Sequence, residues 1–552
     1  MAAPRSRGNT NTQSMSRLAL VLACAAGVDG ARLAVRIGRP SVAVAPRRAR
    51  PMAAATAGGG ERPLRVAIAG GGVGGLTTAL CLLKKGFDVT VYEKTDAFKR
   101  FGGPIQFASN ALSTLYAIDP VLFELVTSKF TYTGTRACGI KDGLRAKGFA
   151  MGGDKLSYLW DSSVGADWYV RFPLKECAEL WNLPYTGVID RPDLQDILLD
   201  ACRAIKPDVL RNGDEVIGYD QAADGEVTVK FSSGAAAGAD VLVGADGIWS
   251  AVRGQMYGET RGEMKKGGKE RQGCTYSGYT VFAGETIISL PDYYETGYKV
   301  YIGPKRYFVT SDVGNGRVQW YAFFATEPGM KLAKSGWGSE SAVGSADASV
   351  IGYLKGLHAG WSEEVHTVLD ATPESAVEQR DLYDRRPELL RSWSDKGLAS
   401  ATAESAATDA NGAALPLAPR KERVHAALQE YYKTRIVRTA SVQVLSRLAS
   451  DLIINLFDTP WSPHDKKGTD WKSYLTFFWK PVLQYLVFPA QFAYLYSFRP
   501  SGPMADLPAQ LADAWKARHR ADAEAAFAHA REIGRDGLAA ESAAKGSFLA
   551  ER

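Results

Sequence analysis

The sequence predicts an α/β fold: a Rossmann-like first half, a β-rich stretch set into it, and a helical C-terminal region. Three observations lead there. Residues 65–69 form a short apolar run that ends in glycines, followed by a helical pattern and a second apolar run at 88–92. Residues 276–326 are rich in Tyr, Phe, Val and Thr with Gly breaks, the composition of successive strands. Residues 420–456 carry no strong breaker and read as one long helix.

Order is expected to begin near Leu64. The run 65–69 reads as a buried strand, 77–85 as a helix, and Asp88 to Tyr92 as a second strand after Gly86. Together they fit in about thirty residues, the length of a βαβ unit. Leu194, Ile197 and Leu198 lie on one face of a helix opening near Pro192. Residues 215–243 alternate as strands around turn signals and end in the apolar run 240–244. Past Gly397, residues 398–414 are a low-complexity run of Ala, Ser, Thr and Asp and read as linker. Residues 471–498 hold eleven aromatics in 28 positions, with Pro481 and Pro489 among them. This stretch reads equally as a membrane-facing surface or as a cover for the core. After Pro508 the chain is Ala-rich, charged and helical in pattern.

The chain has 552 residues, 46% hydrophobic and 23% charged, which is a globular balance. Its net charge of +6 comes from the first sixty residues, which hold nine Arg and one acid, Asp29. The remainder has 57 basic and 59 acidic side chains, so charge offers no argument for nucleic-acid binding. Residues 1–60 read as a disordered targeting leader. The apolar run from Leu18 to Val28 is too short to span a bilayer, and the Arg-rich stretch 32–50 behind it suits a transit peptide. Six cysteines show neither a metal-ligand spacing nor a disulfide framework, and no His/Cys/Asp/Glu cluster suits a metal.

Two motifs carry chemistry. Gly70-Gly71-Gly72-Val73-Gly74-Gly75 fits G-x-G-x-x-G between a strand and a helix. Gly70 permits the tight turn, Gly72 lets the backbone approach a pyrophosphate, and Gly75 packs helix on strand, while the helix start near Val73 and Gly74 faces the phosphates. Glu93, at the tip of the second strand, can accept hydrogen bonds from an adenosine ribose and disfavours a 2′-phosphate. The nucleotide is therefore expected to be FAD or NAD. The second motif is Asp246-Gly247 after the run 241–244, where a carboxylate would stand beside a cofactor's phosphates and ribityl hydroxyls.

The run from Val241 through Asp246-Gly247 to Arg253 resembles the second cofactor motif of FAD-dependent monooxygenases related to aromatic hydroxylases, and Val188-Ile189-Asp190-Arg191 resembles the segment whose Arg contacts FAD. The stretches 103–112, 275–280, 307–314, 319–323 and 380–385 narrow the resemblance to zeaxanthin epoxidases. The likeness covers about 64–397 and, more faintly, 415–500. It implies a Rossmann-like FAD-binding domain over 64–400, a β-rich substrate domain at about 270–330, and a helical and aromatic C-terminal part at 415–500. It also implies that bound FAD activates O₂ and delivers one oxygen atom to a ring double bond of a xanthophyll, converting zeaxanthin to antheraxanthin and violaxanthin. Electrons would come from NADPH through ferredoxin, in a plastid, at the thylakoid or envelope surface. The cofactor carries that chemistry, so no side chain is expected as a general base.

One family feature is missing. Where the family places a strand, a Gly-Asp pair and a helix, this chain has Leu398 to Ser405, and its remaining pairs, Gly153-Asp154 and Gly213-Asp214, lie in other contexts. Other readings therefore stay open: a related hydroxylase of another ring, a paralogue that binds carotenoid or a partner without turnover, or a skipped exon at Gly397.

Overall fold

The computed structural model describes residues 62–97, 103–144, 168–222, 226–259, 270–271, 273–288, 290, 296–303, 305–314, 316–329, 349–385, 420–455 and 482–496. The chain divides into two units, Met1–Arg62 and Pro63–Arg552, and every element below belongs to the second. The leader, the linker 398–414, the pair Gly153-Asp154 and the Ala-rich stretch after Pro508 lie outside the described residues.

The unbroken apolar runs read from the sequence belong to a sheet covered on both faces. Strand Arg65–Ala69 pairs in parallel with Asp88–Glu93 and with Val241–Gly244, and Leu210–Asn212 extends the sheet beyond Asp88–Glu93. Val66, Ile68, Val89, Val91, Val241 and Val243 meet Leu76, Leu80, Leu194 and Leu198 of helices Val73–Leu83 and Arg191–Ile205. On the opposite face Ala67, Ala69 and Leu242 pack on Val216, Val227, Val229 and Phe231. Those residues belong to an antiparallel sheet of Val216–Gln221, Val227–Phe231 and Ala236–Ala239.

The first helix begins at Val73, earlier than the 77–85 expected from its pattern. Three glycines at its start have poor helix propensity and read as loop. Packing overrides propensity there, because the helix must approach the preceding turn closely.

The second large sheet runs in the order Glu270–Arg271, Cys274–Ile287, Arg317–Ala325, Arg306–Asp312, Thr296–Gly303, Ala137–Asp142, Trp168–Arg171, with Glu378–Asp384 also paired to Cys274–Ile287. The β-rich part expected at about 270–330 supplies most of its strands. Strands 137–142, 168–171 and 378–384 join it from outside that range, so the sheet is assembled from three separate parts of the chain. One face, with Phe282, Tyr301, Phe308, Trp320 and Phe324, is closed by helices Val350–Leu357 and Glu363–Asp370. Beneath them the Glu364 carboxylate bridges two buried ammonium groups, Lys141 at 3.0 Å and Lys299 at 3.1 Å, and so pins the second of these helices to the sheet.

His358 is buried between these layers, edge-on to Phe308 and Trp361, with Nδ1 on the Leu354 carbonyl. Burial pushes its pKa down to about 4 from 6.5, against the pull of that carbonyl. Because the folded value is depressed, the unfolded chain binds the extra proton first as pH falls. Stability is expected to be full above about pH 6.5 and to fall by on the order of 3 kcal/mol by pH 4. Urea unfolding at several pH values checks this, and His358→Gln should flatten the slope between pH 6.5 and 4.

Helix Arg420–Asn455 fills the expected range. Val424 packs on the first core, the helix touches strands 296–303 and 306–312, and Arg438 donates to the carbonyls of Tyr494 (3.2 Å) and Leu495 (2.8 Å). Those carbonyls end helix Phe488–Tyr496, which follows a π-helical turn Leu483–Val487. Pro489 lies inside this continuous helical run, directly after the π-helical turn. Phe488 and Phe492 turn inward onto Phe172, and the Tyr496 hydroxyl reaches Thr186 Oγ1 at 2.9 Å. Val482, Tyr485, Leu486 and Tyr494 stay exposed. This part of the aromatic stretch therefore covers core with Phe488, Phe492 and Tyr496, and the Arg438 guanidinium lies over the Tyr494 ring at 4.9 Å. Among the described residues no helix is long and apolar enough to cross a membrane.

Candidate cofactor and substrate site

The glycine turn divides into crowded and open positions. Gly70 has φ +103°, its N–H donates to the Tyr92 carbonyl at 2.8 Å, and a Cβ there would lie 2.5 Å from the Ala245 carbonyl oxygen. A Cβ on Gly75 would lie 1.9 Å from the Gly70 oxygen, so strand, turn and helix are locked backbone to backbone. At Gly72 and Gly74, by contrast, a Cβ would meet nothing within 4 Å. These two glycines line an open cradle at the start of helix Val73–Leu83, where unpaired N–H groups and the positive end of the helix dipole favour an anion.

Two carboxylates flank the cradle. Glu93 Oε2 accepts from the Gly71 N–H at 2.8 Å, and Oε1 accepts from the N–H and hydroxyl of Thr95, both at 3.1 Å. The expected ribose acceptor thus also braces the turn, and Oε2 keeps a lone pair for a ligand hydroxyl. Asp246 Oδ2 accepts from Ala251 N at 2.7 Å and Val252 N at 3.4 Å at the start of helix Ala251–Met256. Its Oδ1 is buried with no hydrogen-bond partner. A buried acceptor left unpaired costs about 1–3 kcal/mol, so this oxygen awaits a donor. Gly247 follows with φ +81° and open space at its Cβ position.

Arg191 stands exposed at the first residue of helix Arg191–Ile205. Two neighbours of its segment were not singled out by the sequence reading. Gln195 Nε2 donates to the Gly71 carbonyl at 2.9 Å, tying that helix to the glycine turn. Arg317 reaches Asp190 at 2.8 Å and Glu285 at 3.3 Å, joining the large sheet to the same segment. Arg253, Arg380 and Arg385 have structural partners: Arg253 and Arg385 pair with Glu259, and Arg380 with Glu378. The pair Gly213-Asp214 closes a turn on strand Asp88–Glu93, its amides donating to Thr95 and Glu93. Among the described residues no group of His, Cys, Asp or Glu could hold a metal ion, and the five described cysteines are free thiols.

The other face of the large sheet carries a second apolar wall, on part of which Phe172 and Phe488 pack. Residues Ile140, Val300, Ile302 and Val309 form its buried floor, with Tyr298, Tyr307, Tyr321 and Phe323 packed on them. Gly103 lies against this wall, where a Cβ would sit 2.9 Å from the Tyr321 hydroxyl. The segment leading into strand Ile105–Phe107 therefore passes directly beside the wall.

Two layers of helix and sheet around a parallel sheet, a glycine turn, and a second large sheet with an aromatic wall form a combination with known counterparts. HpxO of Klebsiella pneumoniae, solved with FAD and uric acid, superposes with a TM-score of 0.55 at 17% identity, covering 80% of this chain and 98% of its own. Salicylate hydroxylase, solved with substrate, gives 0.51 at 19% identity over 80% of this chain and 99% of its own. The fold is that of these two proteins. Residues 68–106 match the NAD(P)-binding Rossmann-like domain family. Among curated proteins, the chloroplastic zeaxanthin epoxidase of Arabidopsis thaliana is 38% identical over 321 residues, 57% of this chain and 40% of that protein. The enzyme of Spinacia oleracea is 36% identical over the same length, 57% of this chain and 40% of its own. The chain is thus similar to zeaxanthin epoxidases, and its match spans about two fifths of their length.

Proposed function

We propose that this chain is an FAD-dependent monooxygenase that epoxidises the ring double bonds of a xanthophyll, zeaxanthin to antheraxanthin and violaxanthin. O₂ is the oxidant and NADPH the electron source through ferredoxin, in a plastid. The observation that carries the reading is the cradle: open space at Gly72 and Gly74 beside an unpaired, buried Asp246 oxygen. That pattern suits a pyrophosphate on the helix start and a ribityl hydroxyl on the carboxylate. The likeness to zeaxanthin epoxidases supplies the substrate class.

When bound, FAD supplies the activation of O₂. The chain's own residues position and shield. Gly72, Val73 and Gly74 offer their N–H groups to phosphates, Gly70 and Gly75 hold the turn rigid, and Glu93 takes a ribose hydroxyl. Asp246 and Gly247 hold the ribityl side, and Arg191 adds a positive charge at the helix Arg191–Ile205. The aromatic wall, low in charge, excludes water from the reacting double bond. The sequence Leu398 to Ser405, in place of the family's Gly-Asp segment, lies outside the described residues.

The test supplies the full chain with FAD, NADPH, ferredoxin and its reductase, and analyses products from zeaxanthin and from small phenols. Epoxides from zeaxanthin with phenols untouched is the expected result; hydroxylated phenols and no epoxide would transfer the reading to a ring hydroxylase. The exposed side chains of Val482, Tyr485 and Leu486 fit a peripheral contact with the membrane that holds the carotenoid. Flotation with liposomes checks it, and protein remaining in the dense fraction would rule it out.

A further inference from the structure

Cross-strand register shows what this wall contains. Val300 faces Val309 and Val309 faces Tyr321, while Ile302 faces Tyr307 and Tyr307 faces Phe323. The Tyr307 and Phe323 rings are stacked at 4.2 Å and 11°. This is an apolar surface suited to a flat, conjugated chain. Three phenol hydroxyls interrupt it: Tyr298, Tyr307 and Tyr321.

Several tyrosine hydroxyls tucked into the described fold are occupied. Tyr185 reaches Glu179, Tyr276 reaches Thr326, and Tyr496 reaches Thr186. The hydroxyls of Tyr298, Tyr307 and Tyr321 make no hydrogen bond among the described residues. Tyr301 also lacks a partner, but it is sealed under the helices on the opposite face. The three wall tyrosines are half-buried, and the Tyr321 hydroxyl lies beside Gly103. Burial raises the pKa of all three, so each remains a protonated donor.

Resting on the epoxidase reading above, we propose that Tyr298, Tyr307 and Tyr321 form a hydroxyl-recognising patch that selects a polyene whose end ring carries a hydroxyl. An apolar wall alone discriminates a single hydroxyl only weakly, by roughly a hundredfold. A site that hydrogen-bonds the hydroxyl rejects the analogue lacking it far more strongly, because its own polar groups are left unpaired. The stacked Tyr307 and Phe323 rings take the polyene, and the phenols take the ring hydroxyl.

The experiment compares the full chain with Tyr298→Phe, Tyr307→Phe, Tyr321→Phe and the triple variant, using zeaxanthin and β-carotene, which lacks ring hydroxyls. Equilibrium binding is followed by quenching of tryptophan fluorescence, and kcat/KM by epoxide formation. The wild-type chain is expected to favour zeaxanthin. The variants should lose about 10- to 100-fold for zeaxanthin, keep their affinity for β-carotene, and keep the wild-type melting temperature. Equal losses for both carotenoids would assign the tyrosines a packing role, and unchanged ratios would mean the hydroxyls are merely hydrated; either result overturns the proposal. Binding without epoxide formation defeats the epoxidase reading, while the binding ratio still decides the tyrosines. A wild-type chain that binds neither carotenoid overturns both.

Discussion

Asp246→Ala is expected to lose about a hundredfold or more in FAD affinity while the chain stays folded. The carboxylate does two jobs: Oδ2 caps the start of helix Ala251–Met256, and Oδ1 is the buried acceptor left for a ligand donor. Hydrogen bonds to a charged group contribute about 1.5–3 kcal/mol each, and one lost ligand contact plus a loosened helix start reaches the hundredfold mark. Asp246→Asn keeps the shape and one acceptor, so its loss should be intermediate. Titration of flavin fluorescence measures both variants, and thermal unfolding without FAD separates weak binding from a weakened fold. Wild-type affinity in Asp246→Ala would remove this residue from the site.

A pair of alanine substitutions in the glycine turn should have opposite effects. In Gly75→Ala the new methyl would sit 1.9 Å from the Gly70 oxygen, and both partners are backbone. Turn and helix must separate, at a cost of about 3 kcal/mol or more against a typical total of about 5–15. That variant is expected to melt well below the wild type and to recover poorly. In Gly72→Ala the methyl enters open space, and φ of −69° suits any residue. Its melting temperature should match the wild type without FAD. Its methyl, however, stands in the cradle, so FAD binding should fall at least tenfold by loss of close backbone approach. If both variants lost stability equally, the open cradle would have no ligand to explain it.

The glycine turn could be read from residues alone because each of its positions has a separate steric duty. Gly70 and Gly75 are pressed against backbone, while Gly72 and Gly74 stay clear for a ligand. Asp246 was legible for a similar reason: a carboxylate directly after the buried run 241–244 has few ways to be satisfied. Gln195 was not legible. A polar residue on an amphipathic helix looks like any solvated position until the helix is seen against the Gly71 carbonyl. The wall tyrosines were hidden in another way. Their shared face depends on register between strands 296–303, 306–312 and 317–325, and nothing local announces whether a hydroxyl has a partner. Strands 137–142, 168–171 and 378–384 fell outside the expected β-rich range because their partners are distant in sequence. The early start of helix Val73–Leu83 was masked by glycines whose propensity speaks for loop.

The central claim is that the glycine cradle and Asp246 together hold FAD in this chain, although Leu398 to Ser405 stands where a Gly-Asp segment is expected. The most direct test is the visible absorption spectrum of the purified full chain after incubation with FAD and gel filtration. The account predicts a bound-flavin spectrum at about one FAD per chain, abolished by Asp246→Ala. A folded, cooperatively melting protein that emerges colourless would contradict it, and the cradle would then have to serve another ligand.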